Sequence, residues 1–315
     1  SAQSVVTLQQ RWDNLQDLAM EWLDMVLKNY QDNNVEVFLN DESLEIERVK
    51  EVANDRLVQI KINFTMSGFT KCFRPQSFYP SDLSNLVIWL KADSGVTFDI
   101  ATKRISAWAD QSGNSNSVAQ ATAAHKPLRY GYDGANDKAY IEFDGTNDLF
   151  TSDSNSPITG SFTAFAVAKV DTVSGETGRY FAYDFVDTSA KLNFGSSNNK
   201  LNFIAFDSAG ANNSVTLSSG DTSNYHIAMF KLDGSTGQIT AQYNNESALT
   251  ETISSYESST VFNQAKFKIG HKHSGAAADY LDGNMEELII YNSLLTAKKI
   301  TDVKNYLSNK YSITI

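Results

Sequence analysis

Residues 84–120, SNLVIWLKADSGVTFDIATKRISAWADQSGNSNSVAQ, decide the fold class of this chain. They begin with a nearly continuous apolar run, which is typical of a strand that is covered on both faces. Turn-forming residues then interrupt the chain at short intervals. Trp89 lies in the apolar run, and Trp108 alternates with the smaller Ala107 and Ala109. The pattern predicts that both tryptophans belong to the core of a β-sandwich and are not platforms for a sugar ring.

The same pattern continues almost to the end of the chain. Short candidate strands are separated by turn signals, which include Asp-Gly pairs at 133–134, 144–145, 233–234 and 282–283. Helical spacing returns at residues 296–311, with Thr296 as the candidate N-cap. The apolar face of this helix contains Ile300, Val303, Tyr306 and Leu307. Residues 81–315 are therefore predicted to form a mainly β, two-sheet antiparallel jelly-roll sandwich with a short C-terminal helix.

The first 80 residues follow a different pattern. Apolar residues recur at helical spacing in residues 8–30, and period-two alternation follows at 35–39, 44–49 and 56–66. One helix and about three strands predict a small α+β module, which Pro75 and Pro80 separate from the sandwich. A module of this size buries too little surface to be stable without help. We therefore expect residues 1–80 to serve attachment or oligomerisation, with a homo-oligomer, for example a trimer, as the assembly.

Composition argues against several classes of partner. The formal net charge is −11, so a surface that binds nucleic acid or anionic membranes is not expected. No window reaches the roughly 18 apolar residues of a transmembrane helix, so membrane insertion is not expected. The first residues show no signal-peptide pattern, which fits either a chain made without a leader or one whose leader has been removed. The single cysteine, Cys72, excludes an intrachain disulfide, and we interpret it as a small buried residue.

Several blocks of the second part resemble a known family. They are LVIWLKADSGV (86–96), ISAWADQSGNSNSVAQATAAHKPLR (105–129), AYIEFDGTNDLF (139–150) and YLDGNMEELIIYNSLLTAKKITDVKNYLSNKYSI (280–313). Together they resemble the laminin-G type of the concanavalin A-like lectin/glucanase superfamily over residues 80–315. The resemblance implies the sandwich fold, but it leaves the activity open, because this fold carries enzymes, lectins and structural spacers.

The carboxylates lack the spacing of a hydrolase site. Hydrolases of this fold place paired carboxylates on one strand with the spacing Glu-x-Asp-x-x-Glu, which this part of the chain does not contain. Glu142 and Asp144 share a strand face, but Asp144 is expected to start a turn with Gly145. Glu286 and Glu287 are adjacent, so strict alternation places them on opposite faces, where they cannot act as a pair. We therefore predict that the chain is not an enzyme.

Two loops carry the residue types that recognise sugars. An aromatic ring packs on the apolar face of a sugar, and amides and carboxylates bind its hydroxyl groups. The first loop offers Tyr130, Tyr132, Asp133 and Asn136, and the second offers Asp110 and Asn114. Because turns also need Asn and Asp, a turn-forming role is the alternative for each loop.

Two segments are candidates for metal binding. The resemblance implies a Ca²⁺ site, since laminin-G-like domains commonly bind Ca²⁺ through Asp, Asn and backbone carbonyl oxygens. Asp144, Asn147 and Asp148 offer such ligands in this chain. His271 and His273 share a strand face with a spacing that suits a metal, but no third ligand is evident nearby.

The resemblance also implies a biological setting. Similar sandwiches occur in bacterial surface and secreted proteins and in structural proteins of phages, and residues 1–80 resemble a small virion-attachment module. We therefore expect a capsid- or tail-attached virion protein, a fibre or decoration protein assembled in the host cytoplasm. It would dock to other virion proteins through residues 1–80 and project its sandwich toward host surface polysaccharide. A bacterial cell-surface or secreted carbohydrate-binding adhesin and a decoration protein without a ligand are the alternatives.

Overall fold

The computed structural model describes residues 44–49, 59–64, 78–171, 179–183, 192–206, 212–218, 220–254, 266–271 and 280–315. The chain divides into two compact units, Ser1–Ser77 and Phe78–Ile315. In the first unit, β1 (Leu44–Val49) pairs antiparallel with β2 (Gln59–Phe64), and Ile46 lies opposite Ile62. The helix predicted at 8–30, the strand predicted at 35–39 and Cys72 lie outside the described residues.

The second unit consists of two antiparallel β-sheets. Its strands are β3 (Leu86–Lys91), β4 (Val96–Phe98), β5 (Ile105–Trp108), β6 (Val118–Ala119), β7 (Leu128–Tyr130), β8 (Tyr140–Asp144), β9 (Phe150–Asn155), β10 (Phe162–Val170), β11 (Arg179–Tyr183), β12 (Leu192–Ser197), β13 (Lys200–Phe206), β14 (Asn212–Thr216), β15 (His226–Asp233), β16 (Gln238–Tyr243), β17 (Leu249–Thr252), β18 (Lys266–Ile269) and β19 (Asp282–Tyr291). The eight-stranded sheet has the order β17-β16-β15-β10-β19-β8-β7, and β3 also pairs with β19. The nine-stranded sheet has the order β14-β13-β12-β11-β18-β9-β6-β5-β4. The prediction of a mainly β, two-sheet antiparallel sandwich is confirmed.

The main hydrophobic core lies between the two sheets. In β10, Phe162, Ala164 and Ala166 face the nine-stranded sheet, whereas Phe165 and Val167 face away from it. Burial of each large apolar side chain contributes about 1.5–3 kcal/mol. Because both faces of β10 are buried, its sequence is apolar at every position except Thr163 and Lys169.

The side of the eight-stranded sheet that faces away from the main core is called the outer face here, and Phe165, Val167, Ile227, Met229 and Ile289 lie on it. The helix α1 (Ala297–Tyr311) packs on these residues through Val303, Leu307 and Tyr311. The side chain of Thr296 accepts a hydrogen bond from the Lys299 amide, as expected of an N-cap. The predicted closing helix is therefore confirmed.

The two tryptophans of the opening stretch are both buried, as predicted, but in different layers. Trp108 has 0% exposed surface in the main core, and its Nε1 donates to the Lys91 carbonyl at 2.9 Å. Trp89 lies on the outer face under α1, where its ring meets Tyr306 edge-on at 6.4 Å.

A β-bulge in β19 contradicts the prediction that Glu286 and Glu287 lie on opposite faces. Val167 pairs with Glu287 and the next residue of β10, Ala168, pairs with Met285, so Glu286 is the extra residue. Met285 faces the main core, whereas the Glu286 and Glu287 carboxylates both contact groups on the outer face. Strict alternation failed because the extra residue shifts the phase of the strand.

The Asp282–Gly283 pair also departs from its predicted role. It begins β19 and does not form a tight turn. Gly283 has a φ of +149°, and a Cβ at this position would collide with the Lys169 carbonyl oxygen. Glycine is therefore required here by the close approach of β10.

Candidate functional site

Asp110, a predicted sugar ligand, instead binds the backbone around it. Its Oδ1 accepts from the Trp89 amide at 2.8 Å and the Ser112 amide at 2.9 Å, and its Oδ2 accepts from the Asn116 amide at 2.9 Å. The Ser112 hydroxyl also donates to Oδ2 at 2.7 Å. Both carboxylate oxygens are therefore engaged within the protein.

Asn114 extends the same arrangement along β3. Its Nδ2 donates to the Leu86 carbonyl at 2.8 Å, and the Asn116 Nδ2 donates to the Val87 carbonyl at 2.7 Å. Residues 110–116, called the edge loop from here, thus cover the side of β3 that does not pair with β19. Such covering keeps a strand edge from pairing with another chain.

The other predicted loop, residues 131–137, is called the tyrosine turn here. Tyr132 is 81% exposed, and Asp133 and Asn136 are exposed beside it. The Asn136 Nδ2 donates to the Lys310 carbonyl at 3.1 Å, and the Ala135 amide donates to Glu286 Oε1 at 2.5 Å. The turn is therefore held at two points and presents one free aromatic ring.

Tyr130 leads into this turn and packs on a neighbouring strand. Its ring stacks on that of Tyr140 with the centroids 5.0 Å apart and the planes 9° from parallel. The Lys103 Nζ lies 4.4 Å from the centroid of the Tyr130 ring. Tyr130 therefore supports Tyr140, and the exposed platform of the loop is Tyr132.

Strand pairing places more polar residues beside Tyr130 on the outer face. Tyr130 lies opposite Tyr140, and Glu142 lies opposite Asn284. The Asn284 Nδ2 donates to the Tyr225 hydroxyl at 3.0 Å. We call these five residues, Tyr130, Tyr140, Tyr225, Glu142 and Asn284, the tyrosine face.

Burial and nearby carboxylates keep the phenols of the tyrosine face protonated. Burial, and then the charge of Glu142, raise the pKa of Tyr140 to about 12. The same two causes raise the pKa of Tyr130, and burial raises that of Tyr225. At neutral pH these hydroxyls can thus donate and accept hydrogen bonds.

Glu286 lies behind the tyrosine face and has 0% exposed surface. Within the described part of the chain, its Oε2 has no hydrogen-bond partner. Burial raises the pKa of Glu286 to about 8, while the Ala135 amide and the charge of Lys310 oppose the shift. This carboxyl group is therefore mostly protonated at neutral pH.

The adjacent Glu287 is equally buried but fully satisfied. Its Oε1 accepts from Trp89 Nε1 at 2.5 Å and the Tyr306 hydroxyl at 3.1 Å. Its Oε2 accepts from Lys310 Nζ at 2.8 Å and the Tyr311 hydroxyl at 2.7 Å. Although burial opposes it, the charge of Glu287 raises the pKa of Lys310. Three donors on α1 and one on β3 thus meet at a single carboxylate of β19, which fastens α1 to the sheet.

The structure brings the three candidate calcium ligands together in the turn after β8. The Asp144 Oδ1 accepts from the amides of Thr146, Asn147 and Asp148 at 2.9, 3.1 and 3.3 Å, as expected of a turn-forming aspartate. Asp148 is 2% exposed, and burial and the charge of Asp144 raise its pKa to about 7, while Arg104 opposes the shift. The buried Oδ1 atoms of Asn147 and Asp148 have no hydrogen-bond partner among the described residues. These two oxygens are of the hard type that Ca²⁺ prefers.

No group of three or more His, Cys, Asp or Glu side chains suited to a metal occurs within the described ranges. His271 is buried and stacks on Tyr280 at 3.8 Å, and His273 lies outside those ranges. The described residues also include no helix long and apolar enough to cross a membrane.

Sequence reasoning missed most of the tyrosine face. It considered Glu142 only as a catalytic group and did not single out Tyr140, Tyr225 or Asn284. Alternation in β8 places Tyr140 and Glu142 on one face, and this signal was readable. The pairing of β8 with β19, which adds Asn284, depends on a long-range register that the sequence does not reveal.

Comparison with known proteins agrees with this architecture. A family model described as "Concanavalin A-like lectin/glucanases superfamily" matches residues 143–301, about half of the chain. No curated protein sequence matches the chain.

Solved structures share the fold at low sequence identity. The binding domain of Paraclostridial Mosquitocidal Protein 1 has 15% identity and a TM-score of 0.54, with 73% of this chain and 54% of that one covered. The receptor binding domain of botulinum neurotoxin C/D mosaic serotype has 11% identity and a TM-score of 0.51, with coverage of 71% and 51%. The Trypanosoma rangeli sialidase has 14% identity and a TM-score of 0.51, with coverage of 72% and 33%.

The chain thus spans about half the length of the two binding domains and a third of the sialidase. Identities this low show a shared lectin-like jelly-roll fold and carry no residue roles. Together with the family match, the fold establishes that the chain belongs to the concanavalin A-like lectin/glucanase superfamily.

Proposed function

We propose that this chain is a non-catalytic, lectin-like protein that binds a saccharide on the tyrosine face and the tyrosine turn. The observation that carries the proposal is the position of Tyr132, 81% exposed, in a turn anchored beside the tyrosine face. The ring of Tyr132 would pack on the apolar side of a sugar. The Glu142 carboxylate and the phenols of Tyr140 and Tyr225 would bind its hydroxyl groups.

The edge loop does not belong to this proposed site. Asp110 and Asn114 are engaged with the backbone of β3 and of their own loop, whereas the tyrosine turn is anchored to Glu286 and Lys310. We therefore assign the edge loop a structural role.

The absence of catalysis is supported by the environment of the acidic residues. Glu286 and Glu287 share a face but have 0% exposed surface, so a substrate cannot reach them. Asp144, which shares a face with Glu142, directs Oδ1 at three amides of its own turn. Release of reducing sugar from a bound polysaccharide would contradict this part of the proposal.

Binding is tested with the full chain, displayed multivalently on a glycan array because single lectin sites are weak. We expect Tyr132→Ala to lower binding at least fivefold. Tyr140→Ala should lower it more than Tyr132→Ala does, because it removes a phenol of the tyrosine face and the ring on which Tyr130 stacks. Tyr79→Ala is the matched control, since Tyr79 is a 51% exposed tyrosine that packs near Tyr306, outside the proposed site. Equal losses in all three variants, or no binding by the parent chain, would contradict the proposal.

We further propose that the first unit mounts the sandwich on a virion, where many copies would raise the avidity for host surface glycans. The small size of this unit supports attachment to a partner or to further copies. Detection of the chain in purified particles, and an oligomer by mass photometry, are the expected results. Detection on bacterial envelopes instead would favour a cell-surface adhesin, and particles without glycan binding would favour a decoration protein.

Calcium binding at Asp144, Asn147 and Asp148 remains a proposal, supported by the buried Oδ1 atoms of Asn147 and Asp148, which accept no hydrogen bond from the described residues, although Arg104 Nη1 lies 4.0 Å from the Asp148 Oδ1. At pH 7.5 we expect 1 mM Ca²⁺ to raise the melting temperature of the full chain by about 2–4 °C relative to chelator. Asp148→Asn should abolish the rise, and Asp153→Asn, at an exposed position on β9, should preserve it. An unchanged melting temperature in the parent chain would contradict the site.

A further inference from the structure

The tyrosines of the tyrosine face lie close to two negatively charged side chains, Glu142 and Asp133. Glu142 and Asp133 contribute to the raised pKa of both Tyr130 and Tyr140, which places their charges within electrostatic reach of both phenols. Within the described part of the chain, neither carboxylate has an ion-pair partner. The aromatic rings therefore lie near two carboxylates that form no ion pair with a described residue, of which Glu142 accepts a hydrogen bond from the Tyr130 hydroxyl.

The nearby cations are already engaged. Lys169 Nζ lies 2.7 Å from the Asp171 carboxylate, and the Lys103 Nζ lies 4.4 Å from the centroid of the Tyr130 ring. An anionic ligand would have to break one of these contacts to gain a positive partner. Its own charge would meet Glu142 and Asp133 at short range.

Glu286 adds a second, independent feature behind the face. Its Oε2 is fully buried without a hydrogen-bond partner at normal distance among the described residues. The Tyr225 hydroxyl is nevertheless close enough to lower the pKa of Glu286, and burial, with the charge of Glu286 added to it, raises the pKa of Tyr225. A cation on the tyrosine face would favour the ionised form of this carboxyl group, whereas an anion would oppose it. The aromatic rings act in the same direction, because their faces attract ammonium groups.

We infer that the tyrosine face selects saccharides that carry a protonated amino group over neutral sugars of the same length, and over anionic sugars. The inference rests on the proposed function and names the ligand class of the same site. It concerns the ammonium group of a hexosamine, placed between Glu142 and the tyrosine rings, with the rest of the sugar toward Tyr132.

The test measures binding of three tetrasaccharides to the full chain at about pH 6 and low salt, by biolayer interferometry. The probes are fully deacetylated chitotetraose, N-acetylated chitotetraose and tetragalacturonate. We expect the deacetylated form to bind about fivefold tighter than the N-acetylated form, because one close charge pair near a protein surface contributes a binding free energy of that size. Tetragalacturonate should bind weakest. Salt at 0.5 M should reduce the preference.

Glu142→Gln should weaken binding of the deacetylated tetrasaccharide more than that of the N-acetylated one, so that the preference for the amine falls below twofold. Glu251→Gln is the matched control, because it removes the same charge from β17, at the opposite edge of the same sheet. Loss of preference in both variants would assign the effect to the overall charge of the chain and overturn the inference.

Equal binding of the two chitotetraoses, or tightest binding of tetragalacturonate, would overturn it while leaving saccharide binding intact. No binding of any saccharide, here and on the array, would overturn both proposals.

Discussion

The outer face of the eight-stranded sheet has two halves, and the neighbouring residues Glu286 and Glu287 differ in how many hydrogen-bond donors surround them there. Under α1, Glu287 is surrounded by four donors, and the helix closes the surface over it. Beside the helix, Glu286 is equally buried, but among the described residues only its Oε1 has a hydrogen-bond partner, and the surface in front of it carries half-buried tyrosines. A single bulge places both carboxylates on this face. The contacts of Glu287 stabilise the packing of α1 on one half, and the other half is the one that we propose for ligand binding.

The largest loss of stability is expected when Glu287 is replaced in the half that α1 covers. Glu287→Ala would leave the donors of Trp89, Tyr306 and Tyr311 without their acceptor, and Lys310 would lose one of its two carboxylates while it retains Asp93 at 2.9 Å. Removal of one partner of a buried ion pair typically costs about 3–5 kcal/mol. We expect a loss of this size in the free energy of unfolding, measured in urea by tryptophan fluorescence. A loss below about 1 kcal/mol would contradict the role assigned to this carboxylate.

A smaller effect is expected at the edge loop. Asp110→Ala removes the acceptor of the Trp89 and Asn116 amides, which should cost about 2 kcal/mol in the same unfolding experiment. Aggregation should also increase because the edge of β3 becomes available for pairing. Asp133→Ala, at an exposed aspartate of the tyrosine turn, is the control and should change stability by less than about 0.5 kcal/mol. Similar losses in the two variants would contradict the distinction between the two loops.

The free energy of unfolding should depend on pH through Glu286. Burial raises the pKa of Glu286 from its ordinary value of about 4.5 to about 8 in the folded chain, so the folded state holds the proton more tightly. Its contribution to stability is fully present below about pH 4.5 and is lost as the pH rises through 8. We expect the parent chain to lose about 1–3 kcal/mol more than Glu286→Gln between pH 5 and pH 9. Parallel pH profiles for the two proteins would show that Glu286 is not protonated in the fold.

The smallest effect on stability is expected at Tyr132. Its ring is almost fully exposed, so Tyr132→Ala should leave the free energy of unfolding within about 0.5 kcal/mol of the parent chain. This result would separate a binding residue from a structural one. A large loss of stability would mean that the ring has a packing role and would weaken its assignment as a platform.

Local patterns predicted much of this architecture. The 3.6-residue spacing of Ile300, Val303 and Leu307 predicted α1, and the apolar run around Trp89 predicted a strand covered on both faces. The bulge at Glu286 was not predictable, because it depends on how many residues of β10 lie opposite β19. That one residue changed the interpretation of the glutamate pair.

The candidate site was predicted only in part, for a related reason. The exposed ring of Tyr132 followed from loop composition, but Tyr225 and Asn284 reach the same surface from segments distant in sequence. Asp110 shows the converse, because the composition that suits sugar binding also suits the covering of a strand edge.

The central claim is that a saccharide binds on the tyrosine face and the tyrosine turn. Its most direct test is amide hydrogen exchange of the full chain with and without saturating fully deacetylated chitotetraose. We expect slower exchange in residues 128–144, which contain β7, the tyrosine turn and β8, and in residues 282–286 of β19. Exchange should be unchanged in residues 297–311 of α1 and in the edge loop. Protection of residues 110–116 without protection of residues 128–144 would place the ligand elsewhere and contradict the account.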